Sequence, residues 1–213
     1  MIRFSGNERL TSPDRRDQLL RTAAVEFAKT GLRATTTHVL ARAAGVSEPV
    51  LYAHFECKEQ LFREAVQRNS TTRIRALERR MATLTAIDVT EWTEQAVEAV
   101  VTVCLSADGG PLLTNWALLE LPEFGVEVHR QEIGCVAAIW EREISFRIPN
   151  ARPRRVLPIA EIYCVVQTCY SYGLWLGALH HTPRSAAPLV KHFAGGDAEL
   201  ARALERAATG RTA

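Results

Sequence analysis

The chain has 213 residues, 47% of them hydrophobic and 23% charged, which supplies a real core and excludes a disordered acidic or basic chain. Its net charge of +2 is unevenly spread: residues 1–80 carry 15 Lys and Arg against 9 Asp and Glu, whereas residues 81–213 carry 11 against 15. A modestly basic N-terminal part points to an anionic partner such as nucleic acid. Five cysteines (Cys57, Cys104, Cys135, Cys164 and Cys169) form no C-x-x-C pair, and no His/Cys spacing suits zinc, so reduced cytosolic thiols are expected, with no metal and no cofactor. The start, MIRFSGNERLTSP, has no apolar h-region, and a cytoplasmic location is expected.

Helical periodicity runs nearly throughout, and an all-α fold is expected. Residues 1–11 read as a flexible tail. Ser12-Pro13-Asp14 is a helix start, with a capping hydroxyl and a proline at the first position. Leu20, Ala23, Ala24 and Phe27 follow on one face, and Gly31 is placed to close the helix with a positive φ. The run Thr35-Thr36-Thr37 offers the next N-cap, for a short helix through Ala44 with Leu40, Ala41 and Ala44 inward. Gly45-Val46-Ser47 turns the chain. Ser47 is expected to cap a third helix that tolerates Pro49 in its first turn and turns Leu51 and Phe55 inward. Lys58 opens a long helix with Leu61, Phe62, Ala65, Val66 and Asn69 on one face.

Beyond Thr83-Leu84 the pattern predicts helices near 90–106, 111–119, 122–147, 154–181 and 186–208, separated by Gly109-Gly110-Pro111, Pro122, the prolines from 149 to 153, and Pro183. The stretch from Ile159 to Leu179 is long enough to span a bilayer. Glu161, Gln167, Thr168 and Ser171 interrupt it, so a helix covered by protein on both faces is the reading adopted, with no membrane as partner.

A helix, a tight glycine turn and a second helix, at about eight, three and eight residues, form a helix-turn-helix unit. The turn sets the helices at a steep angle, so that the second enters the major groove while the first crosses the backbone. Gly45 supplies the left-handed backbone at little cost. Leu40, Ala41, Val46, Leu51 and Phe55 would form the small core that holds the angle.

The motifs Gly31-x3-Thr35-Thr36, Leu40-Ala41-x2-Ala44-Gly45-Val46-Ser47 and Leu51-Tyr52-x-His54-Phe55-x2-Lys58-Glu59-x-Leu61 resemble those of the tetracycline-repressor (TetR) family, over about Arg15 to Val66, roughly a quarter of the chain. The resemblance implies a DNA-binding domain at 12–57 and a helical ligand-binding and dimerisation domain at 58–213. It also makes Tyr52 and Lys58 phosphate contacts, with His54 near phosphate or base edges. For Tyr52 the residues alone leave a half-buried core ring as the other reading.

Thr36 or Thr37, at a helix N-terminus, would offer a hydroxyl and backbone N–H to a phosphate, besides capping the helix. Ser47, Glu48, Pro49 and Val50 begin the recognition helix. Val50 would pack on a thymine methyl, and two roles stand open for Glu48: accepting from cytosine N4, or pairing with Arg42. Two positions depart from the family pattern. Cys57 stands where a capping Ser or Asn is usual, and is a poor cap. Glu48 stands where Lys, Arg or a small residue is common.

In the second part, a mostly apolar effector site would draw on Trp116, Glu120, Phe124, His129, Trp140, Tyr163, Gln167, Tyr170, Ser171 and Trp175, each of which could equally be a core residue; for Glu120 a solvated helix face is the other reading. Gly173-x3-Gly177 and the apolar residues Leu189, Val190, Phe193, Leu200 and Leu204 suit a two-helix contribution to a dimer bundle. The expected function is a homodimeric repressor that occupies an inverted-repeat operator on double-stranded DNA and is released by a mostly apolar small molecule. A thiol-based redox regulator is one alternative. A helical enzyme or small-molecule carrier is the other, and no nucleophile–base pair, metal spacing or phosphate loop supports catalysis.

Overall fold

The computed structural model describes residues 12–85, 92, 95, 96, 99, 100, 102, 103 and 110–147. Among these, all regular structure is helical: α1 (Ser12–Ala34), α2 (Thr37–Ala44), α3 (Glu48–His54), α4 (Lys58–Ala82), α5 (Gly110–Glu120) and α6 (Pro122–Arg147). The described positions between 92 and 103 are helical too. The predicted helices 154–181 and 186–208, the Gly173/Gly177 pair and the expected dimer bundle lie outside the described residues.

The expected inner faces are buried, except that on α1 Leu19 is the fully buried leucine and the expected Leu20 is only partly buried against the core. Leu19, Ala23, Ala24 and Phe27 of α1, Leu40 and Ala44 of α2, Leu51 of α3 with Phe55 just beyond it, and Leu61, Phe62, Ala65 and Val66 of α4 share one core. Phe27 and Phe62 meet edge to face at 5.0 Å and 89°, the arrangement favoured by the ring quadrupoles. The same core takes in Leu113 and Ala117 of α5 and Val128 of α6, so the N-terminal unit packs directly on the part that follows it. Between α5 and α6 the chain reverses on a single residue, Leu121. Its N–H donates to the Ala117 carbonyl at 2.9 Å, and Pro122 opens the next helix.

Three details differ from expectation. The first helix does not stop at Gly31. That residue has φ 78 and ψ −177, and a further helical turn runs from it to Ala34. Ser47 stands at the N-cap of α3, but its side chain makes no capping bond. Cys57 does cap α4, its sulfur accepting from the Gln60 N–H at 3.4 Å.

Among the described residues, one ion pair is wholly buried. Arg73 of α4 is 1% exposed, and its Nη2 meets Glu132 of α6, whose side chain is 0% exposed. The same Nη2 donates to Thr114 Oγ1 of α5 at 2.9 Å, and Nε donates to Asn69 Oδ1 at 3.0 Å. Thr114 Oγ1 in turn donates to Glu132 Oε1 at 3.2 Å. Three helices therefore converge on one charge pair, which must be satisfied on all sides to persist in so dry a place. At the head end, Arg68 pairs with Asp17, and Arg16 pairs with Glu64 at 2.8 Å, tying α4 to α1.

Candidate nucleic-acid interface and effector region

The helix-turn-helix is built as its residues dictate. Thr36 caps α2, its hydroxyl accepting from the Val39 N–H at 3.3 Å. Gly45 ends α2 at φ 67 and ψ 33, the left-handed region that favours glycine, and its N–H donates to the Arg42 carbonyl at 3.1 Å. Val46 N–H returns to the Ala41 carbonyl at 3.0 Å, closing the turn. Leu51 and Phe55, each 2% exposed, pin α3 from within.

That pinning turns the rest of α3 outward. Tyr52 is 48% exposed, so its ring is no core residue, and Pro49 and Val50 beside it are exposed as well. His54 is half-buried at the end of α3. On α2, Val39 and Arg42 are exposed. The resulting surface offers apolar groups, a phenol and a cation together, the mixture that reads base edges while holding phosphates.

Within the protein, Glu48 pairs with Thr37 and His38 rather than with Arg42. Its Oε2 accepts from the Thr37 hydroxyl at 2.6 Å, and its Oε1 lies 3.6 Å from His38 Nδ1. The carboxylate bridges the first turns of α2 and α3. No local pattern announces this, because the groups meet only once the turn has closed.

Lys58 also has work inside the protein. Its ammonium donates to the Thr35 carbonyl at 2.8 Å and the Arg33 carbonyl at 3.4 Å, fastening α4 to the link between α1 and α2. An ammonium carries three donors, so a third is left for a phosphate.

Of the residues singled out for the effector, Trp116 and Glu120 lie against the head. Trp116 Nε1 donates to the Ala28 carbonyl at 3.1 Å, and its ring covers Gly31. Glu120 Oε2 accepts from the Leu32 N–H, and both its oxygens accept from the Arg33 N–H at 3.2 and 3.3 Å. These are the open donors of the turn that restarts after Gly31, so a side chain 88 residues away supplies its cap. Phe124 packs at the edge of the common core with the Arg63 guanidinium 4.8 Å above its ring.

Trp140 is buried and stacks with Trp92 at 4.5 Å and 50°. Trp92 is 0% exposed, and among the described residues neither its indole N–H nor His129 Nδ1 has a hydrogen-bond partner. Tyr163, Gln167, Tyr170, Ser171 and Trp175 lie outside the described residues, as does the Ile159–Leu179 stretch. Among the described residues no helix is long and apolar enough to cross a membrane, and no group of three or more His, Cys, Asp or Glu could hold a metal ion.

Residues 19–65 match the family model described as bacterial regulatory proteins of the tetR family. Over 53 residues, 25% of this chain and 26% of the relative, the sequence is 47% identical to the HTH-type transcriptional repressor KstR2 of Mycolicibacterium smegmatis. The match therefore spans about a quarter of that relative's length. Among solved structures, the fatty acid degradation regulator FadR from Bacillus halodurans superposes with a TM-score of 0.63 at 16% identity, over 88% of this chain and 98% of that one. FadR from Bacillus subtilis, solved in complex with stearoyl-CoA, superposes with a TM-score of 0.55 at 16% identity, over 92% and 99% of the two chains. Residues 19–65 thus resemble the DNA-binding region of the tetR family in sequence, and the helical fold is similar to that of solved regulators.

Proposed function

We propose that the protein is a cytoplasmic, homodimeric transcriptional repressor that binds an inverted-repeat DNA operator through residues 12–57 and releases it when a mostly apolar small molecule enters the part formed by residues 58–213. The observation that carries the reading is the exposed face of α3 beside a closed Gly45 turn, with Tyr52, Pro49 and Val50 outward and Arg42 next to them. In this reading Thr36, Tyr52 and the remaining donor of Lys58 take phosphates, Val50 meets a thymine methyl, and His54 lies near the backbone. Glu48, with Thr37 and Ser47, acts at the start of the recognition helix.

The buried Trp92–Trp140 pair supports the effector site. An unpartnered indole N–H in an apolar place costs about 1–3 kcal/mol, and an acceptor oxygen on an otherwise apolar ligand would recover it. Tyr163, Gln167, Tyr170 and Ser171 complete the proposed lining, with Trp116, Glu120 and Phe124 on the side toward the head. The stearoyl-CoA in the structural neighbour from B. subtilis shares that character only in its acyl chain, since its coenzyme A part is strongly anionic.

Selection of bound duplexes from random DNA tests the reading. It should return two half-sites in inverted orientation about one helical turn apart. Recovery of no preferred sequence at moderate salt would refute it, since phosphate contacts alone bind every duplex.

A further inference from the structure

The joint between α1 and α2 is held from two sides by two different helices. From α5, Trp116 Nε1 donates to the Ala28 carbonyl, and the Glu120 carboxylate accepts from the N–H groups of Leu32 and Arg33. From α4, the Lys58 ammonium donates to the carbonyls of Thr35 and Arg33. Within the joint, the Thr35 hydroxyl donates to the Gly31 carbonyl at 2.6 Å and meets the Thr30 hydroxyl at 2.7 Å. Arg33 is gripped at both ends of its backbone, its N–H by α5 and its carbonyl by α4. Gly31 makes the grip possible: a Cβ there would stand 2.7 Å from Trp116 Cε3.

A carboxylate that accepts backbone N–H groups forms charge-assisted bonds, about twice as strong as neutral ones, and such bonds hold position within a few tenths of an ångström. The next residue along the chain is Thr36, which caps the N-terminus of α2. We propose that Glu120 and Trp116 are positioning residues for DNA binding. They form a clamp through which α5 fixes the joint, and with it the phosphate-facing start of α2. This proposal rests on the DNA-binding reading above and adds to it the long-range contacts that seat the start of α2.

The test uses the full-length protein as wild type, Glu120→Ala, Glu120→Gln and Trp116→Phe. Deuterium uptake is followed without DNA, and affinity is measured for the duplex that the wild type selects and for a random duplex. In Glu120→Ala the amides of Leu32 and Arg33 should exchange about tenfold faster, with those of residues 61–66 unchanged, and affinity for the selected duplex should fall about tenfold. Affinity for random DNA should fall by a smaller factor, because the displaced head loses base contacts as well as phosphate contacts only on the selected duplex, a split that general loss of structure would not produce. Glu120→Gln, which keeps an acceptor without the charge, should fall between, and it decides the matter if Glu120→Ala does not fold. Faster exchange at the joint with unaltered affinity for the selected duplex would overturn the positioning role, and unaltered exchange would overturn the clamp. Failure of the wild type to select any sequence would instead remove the regulator reading itself, visible before any variant is made.

Discussion

Gly31→Ala is the substitution whose cost the geometry defines most closely. At φ 78 and ψ −177 the backbone lies in a region that is essentially glycine-only, and an L side chain held there costs about 1–3 kcal/mol. The new methyl would also stand 2.7 and 2.9 Å from the Cε3 and Cδ2 atoms of Trp116 and 3.0 Å from Glu120 Oε2. Forcing a well-packed ring aside costs about 1–3 kcal/mol more. The sum, about 2–6 kcal/mol, should lower the melting temperature of a chain this size by about 4–24 °C. Urea unfolding followed by circular dichroism gives the total. Repeating it with Trp116→Ala and with both changes together separates the two parts, because removing the ring relieves the collision and leaves the backbone strain. The collision should appear as a coupling of about 1–3 kcal/mol. A Gly31→Ala protein within 0.5 kcal/mol of wild type would refute both halves, and zero coupling would refute the steric one.

Glu132→Ala removes the carboxylate from a guanidinium that is 1% exposed and should cost about 3–5 kcal/mol in urea unfolding, whereas Arg73→Met with Glu132→Leu should come close to wild type; equal losses in the two would contradict the account. The Asp17 carboxyl is held below its ordinary 3.8 by the hydrogen bond from Arg68, against the opposing effect of burial and with help from the Arg68 and Arg21 charges. A lowered folded value means stability present at neutral pH and lost as pH falls through it, so Asp17→Asn should cost about 0.5–1 kcal/mol at pH 7, the small figure reflecting a side chain 45% exposed, and nearly nothing at pH 2; a penalty that stays constant with pH would exclude this origin. Arg42→Ala should weaken binding to all duplexes alike and lower the salt slope by about one unit, while Val50→Ala should relax preference at one base pair; the reverse pattern would reassign both residues. Cys57→Ser puts a stronger acceptor at the α4 cap and should raise stability by about 0.5–1 kcal/mol by thermal melt, and peroxide should release DNA from neither protein; release from the wild type alone would bring the thiol-based reading forward.

The reading head was legible because its determinants are local. Thr36 caps the three residues that follow it, Gly45 turns the chain where it stands, and Leu51 and Phe55 define an inward face by spacing alone. The start of α6 was legible for the same reason, since Pro122 opens it. What the sequence withheld is long-range. Glu120 reaches Leu32 across 88 positions, and nothing near either residue records the other. The position of Arg73 did carry a signal. It continues the face of Leu61, Ala65 and Asn69 and precedes Leu77 and Met81, so a cation intrudes on an apolar stripe. Glu132 intrudes in the same way between Val128 and Val136 on α6. Two such intrusions of opposite sign on helices that must both be buried predict each other, because neither charge is tolerable alone.

The Arg73–Glu132 pair has a mechanical consequence. Arg73 lies 15 residues along α4 from Lys58, which at 1.5 Å per residue is about 22 Å. A rod fastened at that distance turns small angles into useful travel: a tilt of about 5° about the fastening swings its far end through about 2 Å. The far end is the ammonium that holds the Thr35 carbonyl at 2.8 Å, and 2 Å is several times the range over which such a bond keeps its strength. The fulcrum needs no large rearrangement around it, so a small displacement of α4 beside Arg73 is enough to break the Lys58 bonds at its other end.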